Sequence, residues 1–180
     1  MNPRLQELLE YVDESTEILR SAVDDVPAEK HLLRPNPESW SVEEVLEHLA
    51  VLETRFNTVF SGWFDAERIG GLGTATDVSP ILHTLGLERV TDRTTKLVAP
   101  PRVVPSGEMT VAESMKALAR AREGLREVLA ANGDLALGTA KRPHPALGDL
   151  SLYGWIAFVG AHERRHAHEI QDISRALMSS

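Results

Sequence analysis

The chain has 180 residues, enough for one domain with a substantial apolar core and short for two. Hydrophobic residues make up 42% and charged residues 26%, which excludes a disordered chain; a formal net charge of −8, with no basic stripe to offset it, argues against a nucleic-acid surface. There is no cysteine, so neither disulfides nor a thiolate metal site is available, which fits a reducing cytoplasm.

Asn2-Pro3 is a good helix start, because proline at the first helical position loses no bond. The first helix is expected from about Pro3 to Asp25, with Leu5, Leu8, Leu9, Val12, Ile18, Leu19 and Val23 on or near one face. The chain enters this charged amphipathic segment without the apolar stretch of a signal peptide. Nowhere does it approach the roughly 18 uninterrupted apolar residues of a membrane span. A cytoplasmic location without a membrane partner is therefore expected. Pro27 opens a short helical turn through Leu33, which Arg34-Pro35-Asn36-Pro37 breaks.

Ser41-Val42-Glu43-Glu44 has the form of a capping box, in which serine and the glutamate three residues on satisfy each other's free amides. The second helix follows, with Val45, Leu49, Leu52, Phe56, Val59 and Trp63 on one stripe, and ends near Ile69-Gly70-Gly71. The connection from Gly70 to Met109 is too long for a hairpin turn. Within it Pro80 to Leu87 is expected to be helical and Val98 to Pro105 extended. Thr110-Val111-Ala112-Glu113 opens the third helix in the same capped way, and Asn132-Gly133 stops it after about Ala131. Pro143 to Asp149 reads as a turn-rich loop before the fourth helix, whose inner face carries Leu152, Trp155, Ile156, Val159, Ile170, Ile173 and Leu177. The expected architecture is all-α: one domain over 1–180, a four-helix bundle running up-down-down-up with a long crossover between the second and third helices.

Seven histidines occur, at 31, 48, 83, 144, 162, 166 and 168. His162 and His166 stand four apart on a predicted helix and so project about 40° apart on one face. That spacing arises readily by chance; position makes it informative. The pair interrupts a row of core positions, between Val159 and Ile170. His48 does the same on the second helix, between Val45 and Leu52. Burying unpartnered imidazoles costs a few kcal/mol, and a metal ion would partner all three. Three neutral imidazoles from facing helices suit zinc, nickel, iron or cobalt, with a fourth position open. The plain alternative is three core histidines bonded to carbonyls and carboxylates. His168 should face solvent, and His31 and His83 should lie on the surface. For His144 a surface position is favoured over the mouth of the site. Glu44 lies one turn before His48, but capping already accounts for it. No residue is nominated as general base.

His162-Glu163-Arg164-Arg165-His166 matches H-E-x-x-H, in which a peptidase uses the glutamate as base. The metzincin extension would need glycine at 169 and histidine at 172, where the chain has Glu169 and Asp172. Few residues remain to supply a later ligand, and no strand-rich segment is expected to hold a peptide. Glu163 to His166 also matches the E-x-x-H element of di-iron bundles, but the second such element is missing.

The run Pro37-Glu38-Ser39-Trp40-Ser41-Val42 leading into Glu47-His48-Leu49-Ala50 resembles the DinB/YfiT-like superfamily of helical-bundle metalloproteins. So do His144-Pro145-Ala146-Leu147-Gly148-Asp149-Leu150-Ser151, Trp155 and the His162 to His166 motif, in order and spacing across nearly the whole chain. The resemblance implies an up-down-down-up bundle with a three-histidine metal site at His48, His162 and His166. Some members of that superfamily are S-transferases or isomerases using a low-molecular-weight bacterial thiol, others are proposed hydrolases, and many are dimeric. A metal-dependent enzyme acting on a small molecule is thus expected, as a thiol-dependent transferase or a hydrolase, with zinc or nickel ahead of iron or cobalt and with a homodimer as the implied assembly. The alternative is a non-catalytic, stress-associated helical protein whose metal is structural.

Overall fold

The computed structural model describes residues 2–94 and 99–179. The chain is mainly helical, as expected: α1 Pro3–Asp24, α2 Val42–Ile69, a single turn α3 Glu88–Thr91, α4 Val111–Ala131 and α5 Leu152–Met178. The helix starts follow from their caps. Asn2 Oδ1 accepts the Leu5 amide at 3.0 Å, with Pro3 at the first helical position. Both capping boxes form: Glu44 Oε2 accepts the Ser41 amide at 2.9 Å, and Glu113 Oε2 accepts the Thr110 amide at 2.9 Å. Ser151 Oγ caps α5 by accepting from the Gly154 amide at 3.1 Å.

The long helices pack in pairs, α1 with α5 and α2 with α4. Each pair runs in one direction. The Arg4 guanidinium lies 6.0 Å from the Tyr153 ring, Arg164 Nε donates to Ser15 Oγ at 2.8 Å, and Lys30 Nζ, just past α1, reaches the Leu177 carbonyl at 2.7 Å. Along α2 and α4, Val111 N donates to Glu43, Asn57 to the Ala121 carbonyl and Arg68 to the Ala131 carbonyl. The first pair is close enough that a Cβ at Gly160 would come within 2.9 Å of Ser15 Oγ and Tyr11. Where α2 crosses to α5 the sense is opposite, with His48 level with His166 and Trp63 level with Trp155. This antiparallel contact brings an early turn of α2 to the middle of α5.

A buried polar layer divides the apolar core in two. One half holds Leu5, Leu8, Val12, Phe60, Leu125 and Ile156, the other Leu19, Val45, Leu49, Leu118, Ala167 and Ile170. Between them each long helix contributes one polar side chain: Thr16, Glu53, Arg122 and Glu163. Arg122 Nη2 donates to Glu163 Oε1 and to Thr16 Oγ1 at 3.0 Å, and Glu53 Oε2 lies 3.4 Å from the same nitrogen. The Thr16 hydroxyl donates to Glu163 Oε2 at 3.0 Å. Burial raises both carboxyl pKa values, Glu53 well above its ordinary range, and a hydrogen bond with Glu163 raises Glu53 further while lowering Glu163. Glu163, which accepts from both Arg122 and Thr16, is the better-stabilised anion of the two, and Glu53 is the carboxyl pushed further toward its neutral form.

Three expectations are corrected. The chain is not purely helical: β1 Lys141–His144 and β2 Gly148–Ser151 form an antiparallel hairpin where a loop is expected, pairing Lys141 with Ser151 and His144 with Gly148. Gly148 sits at φ +78°, in the left-handed region that glycine adopts without steric cost. Two prolines and a glycine in so short a segment conceal strands that need only one partner each. Within Pro80 to Leu87 only a 3-10 turn forms, at Leu82–Thr84. In the stretch expected to be extended, Val98 lies outside the described residues and Pro101–Val103 form a 3-10 turn between extended Pro100 and Val104.

The crossover positions the site. Its first part is held at the start of α1, where the Ile81 amide donates to Glu7 Oε2 at 2.7 Å. α3 then packs on α5, and the 3-10 turn at Pro101–Val103 packs on α2. The chain thus passes over the α2–α5 contact before entering α4.

Candidate metal centre

His48, His162 and His166 converge. Their ring centroids lie 5.3 Å (48–162), 5.0 Å (48–166) and 4.5 Å (162–166) apart, and one nitrogen of each ring lies within 4.8 Å of the other two. His48 and His166 are buried and His162 is partly exposed. Spacing on α5 supplies two rings on one face; the antiparallel crossing of α2 supplies the third.

Hydrogen bonds fix which nitrogens are free. His48 Nδ1 lies 2.7 Å from the Val103 carbonyl, which can only accept, so Nδ1 carries the proton and Nε2 presents a lone pair. His166 Nδ1 lies 2.7 Å from Glu169 Oε2, so with the carboxylate ionised its Nε2 is also a lone pair. That Nε2 faces His162 Nε2 at 3.1 Å. Two nitrogens bound tetrahedrally to one ion at about 2.0–2.1 Å would stand about 3.3 Å apart, so this pair needs almost no movement to share a cation. Burial lowers the pKa of all three rings, that of His162 and His166 well below the ordinary value, with the neighbouring imidazoles adding to the effect. They are neutral at pH 7, the state a metal requires. The donor set therefore fits a divalent transition ion, with carbonyl and carboxylate partners orienting the rings from behind.

The other candidates separate cleanly. Glu163, between the two ligand-spaced histidines, is wholly buried in the polar layer on the other side of α5, so it cannot serve as base at the rings. Glu44 bonds Ser41 and Arg34 and makes no bond to His48. His168 and His83 are exposed, as expected. His31 is partly buried instead, its Nε2 lying 2.9 Å from the Val26 carbonyl.

His144, expected on the surface, lines the cavity instead. The hairpin turns its ring inward to 4.7 Å from Phe158 and 5.1 Å from Trp155. The amides of Ala146 and Leu147 both point at its Nδ1 at 3.2 Å, so the neutral ring carries its proton on Nε2. Burial lowers its pKa.

Four further participants have no role assigned to them from the sequence. Trp40 packs 5.0 Å from the His48 ring and 6.4 Å from the His166 ring. Val103 orients His48, and Glu169 orients His166. Glu47 holds the crossover down: it accepts from the Ser106 amide at 2.9 Å, the Ser106 hydroxyl at 2.6 Å and the Gly107 amide at 2.8 Å. Trp40 and Glu47 stand in the runs that carry the family resemblance and Glu169 lies one turn from His166, whereas Val103 has no local signal. Together α2, α5, the hairpin and the crossover enclose a cavity of about 710 Å3 whose wall includes all three rings. Among the described residues, no helix is long and apolar enough to cross a membrane.

A family model described as the DinB superfamily matches residues 11–170. The chain is similar to "Uncharacterized protein YuaE" of Bacillus subtilis (strain 168), 28% identical over 158 residues, a span of 83% of this chain and 86% of that protein. No solved structure matches it.

Proposed function

The chain belongs to the DinB superfamily, and from that premise and the facing histidines we propose that it is a divalent-metal-dependent enzyme acting on a small molecule. His48, His162 and His166 hold the ion, zinc or nickel first. The observation that carries this reading is the 3.1 Å approach of two Nε2 atoms, with one of those rings and His48 already committed at Nδ1 to oxygen acceptors. The four long helices are taken as an up-down-down-up bundle, which the same-direction pairs α1–α5 and α2–α4 support.

A bound ion would supply Lewis acidity at an open position, acidifying a water or a thiol near neutral pH. The protein's own groups do the rest. Val103 and Glu169 keep the lone pairs aimed inward. His144 presents an N–H donor to the cavity, suited to hold an oxygen of the substrate. Phe158, stacked 5.2 Å from His162, keeps one side of the site dry. Transfer of a small thiol stands ahead of hydrolysis on family resemblance alone.

Elemental analysis of protein purified without an affinity tag tests the metal. About one equivalent of ion is expected, and less than about a tenth of an equivalent after adding zinc or nickel defeats the reading. A structural ion is the second reading, favoured by the depth of His48 and His166. Chelation separates the two: a catalytic ion leaves the bundle folded, while a structural one takes much of the thermal stability with it.

A further inference from the structure

His144 carries a hydrogen-bond donor that the protein itself does not use. Its Nδ1 accepts from the amides of Ala146 and Leu147, both at 3.2 Å, so a proton on that nitrogen would face two N–H groups. The proton is held instead on Nε2, at the edge of the ring away from the hairpin turn. Among the described residues no acceptor takes it. A neutral donor left open on the wall of a cavity of about 710 Å3 is a point of selection. A bound molecule that covers it without offering an acceptor strips it of water for nothing in return.

The surroundings of this donor are apolar. The His144 ring packs against Trp155 and Phe158, and Phe56 packs 5.8 Å and 6.0 Å from the same two rings. Trp155 spends its own N–H on the Arg142 carbonyl at 3.1 Å, so it adds no second donor. Phe158 also stacks on His162, so this aromatic wall adjoins the three histidines. Charge selects little here. Arg93, Arg102 and Arg165 line the cavity with Glu38 and Glu169, and Arg93 pairs with Asp172, so acids match bases in number.

We propose that the cavity takes an uncharged aryl carbonyl compound, its ring among Phe56, Trp155 and Phe158 and its oxygen accepting from His144 Nε2. Aromatic side chains receive a flat ring in offset or edge-on packing. A carbonyl oxygen fits better than a hydroxyl, which brings a proton of its own and finds no acceptor on those three rings. His144 is then the residue that sets specificity. The placement of this compound beside a bound ion rests on the metal reading above; the open donor and its apolar walls do not.

The test titrates acetophenone and its near-isostere α-methylstyrene, which has CH2 in place of the oxygen, into chelator-treated and zinc-loaded protein. Long-range 1H–15N spectra of histidine-labelled protein read the donor directly. His144 is expected with Nδ1 bare and Nε2 protonated, and its Nε2 proton should move downfield with acetophenone only. Two variants separate the donor from the turn. In His144→Gln the side-chain NH2 reaches about where Nε2 stands; in His144→Asn the side-chain oxygen replaces Nδ1 and the far donor is gone. The ratio of acetophenone to α-methylstyrene affinity should fall about 3-fold to 10-fold in His144→Asn and stay within about twofold in His144→Gln, as for one neutral hydrogen bond. The far-ultraviolet helical signal should be unchanged in both.

Binding of neither probe, a ratio unchanged in His144→Asn, a ratio lost equally in both variants, or a protonated Nδ1 overturns the proposal. A ratio change seen only with zinc present overturns it too, by placing the oxygen on the ion, and leaves the metal reading standing. The expected ratios in protein that binds no zinc support the carbonyl site and defeat the metal reading alone.

Discussion

His162 and Glu163 are consecutive on α5 and face opposite compartments: the imidazole meets His166 at 3.1 Å on the cavity wall, while the carboxylate accepts from Arg122 at 3.0 Å in the buried polar layer. One helical position turns the chain by about 100°, and that rotation separates a candidate metal centre from the polar layer that ties the four long helices together. The same letters that spell a peptidase motif are thereby divided between two unrelated tasks.

The polar layer gives a contrast among three variants. Glu53 is the carboxyl pushed further toward its neutral form, so Glu53→Gln should replace one neutral donor by another and cost less than about 1 kcal/mol. Glu163→Gln and Arg122→Leu each leave a buried charge without its partner, and each should cost about 3 kcal/mol. Urea unfolding measures all three. Equal losses at 53 and 163 would show that the proton is not on Glu53. Zinc affinity should change little in any of them.

His48→Ala should abolish tight zinc or nickel binding while the far-ultraviolet helical signal survives. Retained stoichiometric, tight binding would show that the third ligand is misassigned. Trp40, 5.0 Å from the His48 ring, offers a second readout: nickel should quench tryptophan emission, and Trp40→Phe should remove most of that quenching.

The metal-free protein should lose stability as the pH falls. The three site histidines have pKa values depressed in the folded state, so below about 6.5 the unfolded chain binds more protons than the native one. Their contribution is complete above that value and is lost between it and their lowered native pKa values. Thermal unfolding of chelated protein from pH 8 to 5 should show the decline, and zinc affinity should fall over the same range because protons compete for the same nitrogens. A flat profile would mean the rings are not desolvated.

Glu47→Ala should loosen the crossover. Burial alone would raise this carboxyl, but bonds from Ser106 and the amides of Ser106, Gly107 and Glu108 outweigh it and hold its pKa low. Removing it leaves those donors unpaired and frees the segment that carries Val103 to His48. Zinc affinity should drop about 10-fold to 100-fold, the range for losing a group that orients a ligand. Competition with a zinc chelator dye gives the number, and protease cleavage near Ser106 should accelerate.

Much of this protein was written locally. Asn2-Pro3 and the two capping boxes set where helices begin, because each cap is closed by residues within three positions. The pair His162–His166 could be placed on one face from helical geometry, and His48 stood out as a polar interruption of an apolar stripe. The hairpin at 141–151 was not legible: its few residues carry turn formers throughout, and its pairing shows only when two four-residue strands meet. For the same reason His144 was expected outside and is found lining the cavity.

What the sequence determined by itself is every feature decided by neighbours one to four residues apart: helix starts, helix faces and which side chains share a face. Tertiary structure alone decided that α2 crosses α5 antiparallel at His48, that Val103 and Glu47 bind the crossover over the site, and that Glu163 turns inward to Arg122. Those outcomes depend on contacts between residues tens of positions apart. Their energies come from burying particular surfaces together, which no local spacing encodes.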